Sequence, residues 1–244
     1  MESYPPLALL GCDAPIEVSK RLSALGFNVM TLKADLRLQR PVSSHADMLI
    51  FPFKDRVFYS EGYDMEESIL ETLSVYGYTT VKCNRPVLDK YPHDIAFNLA
   101  LIGGNIYGKT DFSAEEIISF AKENNVEIVC VNQGYTKCST LVLGNEAIIT
   151  ADAGIASAAT ENGISVLKIE NSPSAVTIKG YDYGFIGGAC GVFNKKVYFT
   201  GEILTHPDGH RIVSFCNDHG FDTVSLCNGI LTDIGGIIFL EKLS

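Results

Sequence analysis

Short apolar runs alternate with turn residues along this chain, and the runs recur in a fixed order. Five of them stop on an Asx residue: Leu32-Lys33-Ala34-Asp35, Val81-Lys82-Cys83-Asn84, Val129-Cys130-Val131-Asn132, Leu167-Lys168-Ile169-Glu170-Asn171 and Ser225-Leu226-Cys227-Asn228. Asp and Asn side chains bond nearby backbone and tolerate turn geometry, so each marks a strand end. The stops recur every roughly 40 to 60 residues, a period that signals stacked or radially arranged units.

Each unit has one grammar. Residues 138–143 are an apolar run, Gly144-Asn145-Glu146 is a turn, and 147–150 is a second short strand. Asp152 stands where it would cap a helix over 153–162; Gly163 stops that helix, and 164–169 is the closing strand. Residues 46–84 repeat the order, with strand 48–53, turn Lys54-Asp55-Arg56 and strand 57–59. There Asp64-Met65-Glu66-Glu67 has capping-box spacing before a helix that Gly77 ends. Residues 95–132 use the turn Gly103-Gly104-Asn105 and a second capping box, Ser113-Ala114-Glu115-Glu116. Within 184–228 the turn is Asn194-Lys195-Lys196, and a helix is expected from near Thr205-His206-Pro207, Pro being tolerated in a first turn. The last unit is split, with 231–240 as its hairpin and 13–35 as its helix and exit strand.

A doubly wound sheet would carry one strand per helix. Strand, turn, strand, helix, strand instead predicts an α/β fold of five ββαβ units around an axis: a five-fold pseudosymmetric α/β propeller whose last unit is closed by the N-terminus. The units are about 46–84, 95–132, 137–171, 184–228, and 229–244 plus 7–35, in one domain over 1–244.

Composition narrows the function. Hydrophobic residues make up 46% of the chain with no apolar run near 18 residues, the profile of a soluble globular protein with no membrane partner. The opening Met1-Glu2-Ser3-Tyr4-Pro5-Pro6 lacks the basic-then-apolar layout of a secretory signal. Seven cysteines, an odd number without a C-x-x-C pair, imply reduced thiols and a cytoplasmic setting. A formal charge of −10 with no Lys/Arg cluster argues against nucleic acid, whereas a small cationic ligand is compatible with it.

Two motifs carry a resemblance. Gly229-Ile230-Leu231-Thr232-Asp233 is similar to the G-x-L-T-C motif of dimethylarginine hydrolases, whose Cys is the nucleophile. His45-Ala46-Asp47 opens the first inner strand, where those enzymes carry a carboxylate that grips the guanidinium. With these motifs and its repeat, the chain resembles the pentein fold of the guanidino-group modifying enzymes: arginine and agmatine deiminases, dimethylarginine hydrolases and amidinotransferases. It is identified as a divergent bacterial member of that superfamily. A translation initiation factor of the same fold is not an enzyme, so the fold alone does not imply catalysis.

The resemblance implies a thiolate that attacks the guanidinium carbon, a His that shuttles protons, and carboxylates that hold the cation. Asp233 falls at the nucleophile position, although one residue of register puts Thr232 or Ile234 there. Losing a nucleophile costs roughly 10⁶ in turnover, about 8 kcal/mol. Residues 132–143, where the family His belongs, contain none; Gln133 or Lys137 stands about there, and neither replaces imidazole near pH 7. Standard guanidine hydrolysis is not expected, and the sequence points to no cofactor.

Asp47 reads either as a cation-binding carboxylate or as an Asx turn at a strand start. His45, two residues away on the same strand face, is either functional or a core-edge residue. Unit alignment puts Asp47, Lys137, Gly187 and Thr232 at equivalent depths, with Asp233 one step further. Asp47 and Asp233 together can hold a cation bidentately, or Lys137 can neutralise one of them. Cys138, beside Lys137, and Cys190, in Gly187-Gly188-Ala189-Cys190-Gly191, are candidate relocated nucleophiles; the alternative is inert thiols inside apolar strands. His206 and His210 share one face of their helix while Cys216 and His219 point about 130° away, so these four are not read as a metal site. Gly103-Gly104-Asn105 joins two strands and is not a dinucleotide fingerprint. Three functions follow: a pentein-fold binder of a small cationic or guanidino-type ligand, a hydrolase or amidinotransferase with a relocated Cys, and a non-catalytic interaction scaffold.

Overall fold

The computed structural model describes residues 4–243. Strand β1 (Leu7–Gly11) is buried throughout and runs parallel to β2 (Asn28–Leu32), with α1 (Ile16–Ala24) crossing between them. After a single helical turn, α2 (Ala46–Leu49), β3 (Ile50–Phe53) and β4 (Arg56–Ser60) form a hairpin; α3 (Glu67–Val75) then leads to β5 (Thr79–Cys83), parallel to β4. The same order recurs in β6 (Ala100–Ile102), β7 (Asn105–Gly108), α4 (Glu115–Glu123) and β8 (Ile128–Cys130). It recurs in β9 (Thr140–Leu143), β10 (Ala147–Thr150), α5 (Ala153–Glu161) and β11 (Ser165–Lys168). The short β12 (Val176–Thr177) precedes a further set: β13 (Cys190–Phe193), β14 (Lys196–Phe199), α6 (Gly209–Asp218) and β15 (Asp222–Ser225). Strands β16 (Leu231–Thr232) and β17 (Ile238–Leu240) come last.

Five three-stranded sheets result, each with a middle strand paired antiparallel on one side and parallel on the other; β12 and β16 form a separate parallel pair. Two of the hairpins are tight because their two linking residues take positive φ, 60° and 83° at Gly103 and Gly104, 46° and 59° at Asn194 and Lys195. The parallel return needs a crossover, which a helix supplies. Middle strands are buried on both faces: every residue of β10 is buried, with Ile155 and Ala159 of α5 packed in the same cluster as Ile148. The leading strands of different sheets are neighbours, β6 beside β9, β9 beside β13 and β13 beside β17.

Several expectations change. Residues 231–240 do not form a hairpin: β16 pairs with β12, and β17 pairs antiparallel with β1, so the fifth sheet is ordered β17-β1-β2. Gly235 and Gly236, both at φ 74°, break that apolar run. His45 and Asp47 do not lie on a strand face, because Ala46–Leu49 close one helical turn before β3 begins. Cys138 precedes β9 instead of lying within it, while Cys190 opens β13. Neither capping box forms: α3 starts two residues and α4 one residue later than the boxes require, with Glu66 and Ala114 at the caps and no side-chain bond. Helix α6 starts at Gly209, after a 3-10 turn over Ile203–Thr205.

Candidate functional site

The residues just ahead of the leading strands meet at one place. These are His45 and Asp47 before β3, Asn98 before β6, Lys137 and Cys138 before β9, Gly187 and Gly188 before β13, and Asp233 and Gly235 before β17. Asn98, fully buried, is the hub. Its Oδ1 accepts from the backbone N–H groups of Lys137 (2.8 Å) and Cys138 (3.2 Å), and its Nδ2 donates to the Asp47 carbonyl (3.2 Å) and lies 3.0 Å from Cys138 Sγ. The Cys138 thiol donates to Asp47 Oδ2 at 3.0 Å. One ligand atom each from His45, Asp47 and Cys138 lie within 4.8 Å of one another, all three residues buried.

The His45 turn is fixed by backbone contact: Asp47 N–H donates to the Gly235 carbonyl at 3.1 Å. Gly235 sits so close to His45 that a Cβ there would fall 2.2 Å from the His45 Cβ. Asp233 is held by two amides, accepting from Gly235 N–H on Oδ1 (3.0 Å) and from Phe185 N–H on Oδ2 (2.9 Å). Lys137 Nζ donates to the Gly187 carbonyl at 3.2 Å. Thr232 lies apart in β16, its backbone N–H donating to Thr200 Oγ1 at 3.1 Å.

Burial dominates the electrostatics. It pushes the Asp47 carboxyl up to about 7, with Lys137 opposing and the Asp233 charge adding to the rise. Burial, then the Asp47 and Asp233 charges, raise the Cys138 thiol well above its ordinary value, and burial takes Cys190 to about 12. Burial lowers His45 although Asp233 and Asp13 pull the other way; the imidazole is therefore neutral at pH 7, and its 3.8 Å approach to Asp233 is not an ion pair. Within the His45/Asp47/Cys138 cluster two buried atoms have no hydrogen-bond partner: His45 Nδ1 and Asp47 Oδ1.

Three cavities border this cluster, two of them reaching Asp47 or Cys138. One, of about 260 Å³, has His45, Met48, Cys138 and Asp233 on its floor and Tyr135, Tyr181, Tyr183 and Phe185 around it. The Tyr135 hydroxyl donates to Asp94 at 2.6 Å and the Tyr181 hydroxyl to Gln39 at 2.9 Å, which fixes two of the rings. The other, of about 370 Å³, is mostly apolar and reaches Asp47, Lys137 and Cys190. The structure thus brings His45, Asp47, Lys137, Cys138 and Asp233 into one neighbourhood, but Asp47 and Asp233 open onto different cavities. Cys190 lies on the second side, and Thr232 lines a third cavity, of about 460 Å³, together with His45 and Asp233. Asn98 and the aromatic wall were not singled out from sequence. The signals were a lone Asn inside the apolar run 95–102 and the Tyr181-Asp182-Tyr183 triplet bracketed by Gly180 and Gly184.

Solved structures share this arrangement of small sheets. Dimethylarginine dimethylaminohydrolase from Pseudomonas aeruginosa, complexed with citrulline, is 11% identical, with 97% of this chain and 99% of that one covered and a TM-score of 0.58. SxtG, an amidinotransferase from Microseira wollei in the saxitoxin biosynthetic pathway, is 9% identical over 99% and 95% of the two chains, TM-score 0.58. The N-terminal domain of ArgZ, a cyanobacterial arginine dihydrolase bound to substrate, is 12% identical over 98% of each, TM-score 0.54. The fold is a pentein fold. By sequence, residues 10–238 match a family of unknown function, DUF6873, and the chain belongs to it. No curated protein sequence matches. No helix among the described residues is long and apolar enough to cross a membrane.

Proposed function

We propose that the five sheets ring one axis as a five-bladed α/β propeller in a single body, and that the aromatic cavity at its centre binds a small cationic, guanidino-type ligand. The observation that carries this reading is the pairing of chemistries in one 260 Å³ cavity: the Asp233 carboxylate on its floor and four aromatic rings around it. Aromatic faces attract cations, and a carboxylate locates the charge. Asp233 supports a binding role more than attack, since both of its oxygens are engaged by backbone amides. With all seven cysteines free, the protein fits the reducing cytoplasm.

Calorimetry with arginine, agmatine and methylated arginines tests the proposal, with neutral citrulline as the charge control. The cations bind and citrulline binds more weakly. Tyr183→Ala, a change at a partly exposed wall residue, weakens cation binding by about 2- to 30-fold, the range of one lost cation–π contact. Silence from every cation at millimolar concentration, or equal heats from citrulline, overturns it.

A second reading is favoured by one contact: the Cys138 thiol faces the same cavity and is bonded to Asp47, a carboxyl that titrates near pH 7 and is therefore able to take its proton. Haloacetamidine labelling read by mass spectrometry separates the two. Selective, rapid modification of Cys138 near neutral pH supports a relocated nucleophile. Sluggish reaction there, as expected of a buried thiol with a raised pKa, supports the binder.

A further inference from the structure

We infer that His45, Asp47 and Cys138 form a transition-metal site, best suited to zinc, whose fourth position opens onto the aromatic cavity. The argument begins with donor type. An imidazole, a carboxylate and a thiol on one spot are the borderline-soft N, O and S ligands that zinc takes, and three protein ligands with one open position is the pattern of a non-structural zinc centre. The three donor atoms already lie within 4.8 Å of one another, against the roughly 3.3–3.7 Å between ligands that zinc bond lengths impose on a tetrahedron. About an ångström of contraction on the longest pair closes the set.

The second argument is what the protein leaves unpaired. His45 Nδ1 and Asp47 Oδ1 are buried without a partner, in residues only 5% and 2% exposed. Buried polar atoms are almost always satisfied, and two orphans on adjacent members of one cluster call for a missing partner. A divalent cation supplies it. The charges also close: metal binding displaces the Cys138 proton to solvent, and a thiolate and a carboxylate then balance the two positive charges.

The surroundings suit a metal as well. Asn98 Nδ2, 3.0 Å from Cys138 Sγ, is a donor that a thiolate ligand needs, and Asn98 is anchored by the two amides it accepts. His45 and Cys138 both line the 260 Å³ cavity, so a water or ligand atom reaches the metal from there. Asp233 is not part of the set: it lies outside the three-residue cluster, and each of its oxygens accepts one backbone amide with lone pairs left for a ligand. Cation recognition in the cavity and metal binding beneath it therefore use different carboxylates. Either proposal can stand if the other fails.

Cobalt(II) added to metal-stripped full-length protein tests the inference. A thiolate-to-cobalt charge-transfer band in the near ultraviolet, with visible bands of tetrahedral intensity, saturates at one equivalent and is removed by one equivalent of zinc. Cys138→Ser, which replaces the thiol donor to Asp47 with a hydroxyl, abolishes the charge-transfer band, and His45→Ala weakens cobalt at least tenfold. Cys12→Ser and Cys130→Ser, changes at exposed thiols, leave the spectrum as it was. Absence of the band in the unmodified protein at saturating cobalt overturns the site, and so does its survival in Cys138→Ser. Loss of the band in either exposed-thiol variant instead would assign the metal to the surface.

Discussion

At the scale of single residues, Asp47 is the most informative side chain. Its carboxyl titrates near 7 in the fold and near 3.8 in an unfolded chain, chiefly because it is buried. Between those values the folded state holds a proton that the unfolded state has lost. Stability is therefore fullest below about pH 4 and declines as pH rises to about 7, by on the order of 4 kcal/mol in full. Asp47→Asn, which keeps an acceptor for the Cys138 thiol, removes this decline. In chelator-treated protein, urea denaturation should find the variant gaining on the parent between pH 5 and pH 8; a constant difference at both would refute the assignment. His45, Asp47 and Cys138 each attract notice in the sequence, but their meeting does not. Cys138 and Asp47 are 91 residues apart, and only the registers of three sheets bring them together. Asn98 was hidden for a related reason, because a buried amide looks like any loop Asn until its four partners are known.

Elements were more legible than contacts, and the helix starts show where sequence reasoning works. Asp152 caps α5 as its position predicts, with Oδ1 accepting from Ile155 N–H at 2.8 Å. Asp152→Ala should cost about 1 kcal/mol by chemical denaturation, within the usual range of roughly 0.5–2 for a lost cap. Ser113 has the same apparent credentials but sits one residue too early, and its hydroxyl turns back to the Lys109 carbonyl. Ser113→Ala should therefore fall within about 0.5 kcal/mol of neutral. A Ser113 effect equal to that of Asp152 would mean that α4 is capped in solution as the sequence suggested. The difference lies in one residue of phase, which local spacing cannot fix when packing sets the helix start at Ala114, a poor cap residue. Hairpin turns were legible because Gly103-Gly104 and Asn194-Lys195 are read from conformational sterics, which are local.

For the whole molecule, the repeat is legible because Asx residues close the exit strands at a regular period, whereas the hairpin expected over 231–240 does not form. Its apolar run, 231–240, looks continuous but is divided between two sheets. What ties the early and late segments together is an aromatic cluster: Phe27 stands 4.8 Å from Phe239, 5.5 Å from Phe193 and 5.4 Å from Tyr198, ring centre to ring centre. Phe27→Ala should cost about 3–5 kcal/mol, since it empties a site shared by three segments. Leu204→Ala, at a side chain 52% exposed, should stay within about 0.5 kcal/mol. A loss below about 1 kcal/mol for Phe27→Ala would show that the cluster does not hold the fifth sheet. The backbone packed behind Asp233 and Lys137 is built still more tightly. A methyl on Gly187 would fall 2.3 Å from the Lys137 carbonyl oxygen and 2.4 Å from that of Thr140, and one on Gly188 would overlap the Asp233 carboxylate. Such packing tolerates no drift, so a lineage that changes its diet has the cavity's aromatic wall to rewrite. Swapping the tyrosines around residues 181–185 is the route by which new ligand preferences would arise, with the base beneath them inherited unaltered.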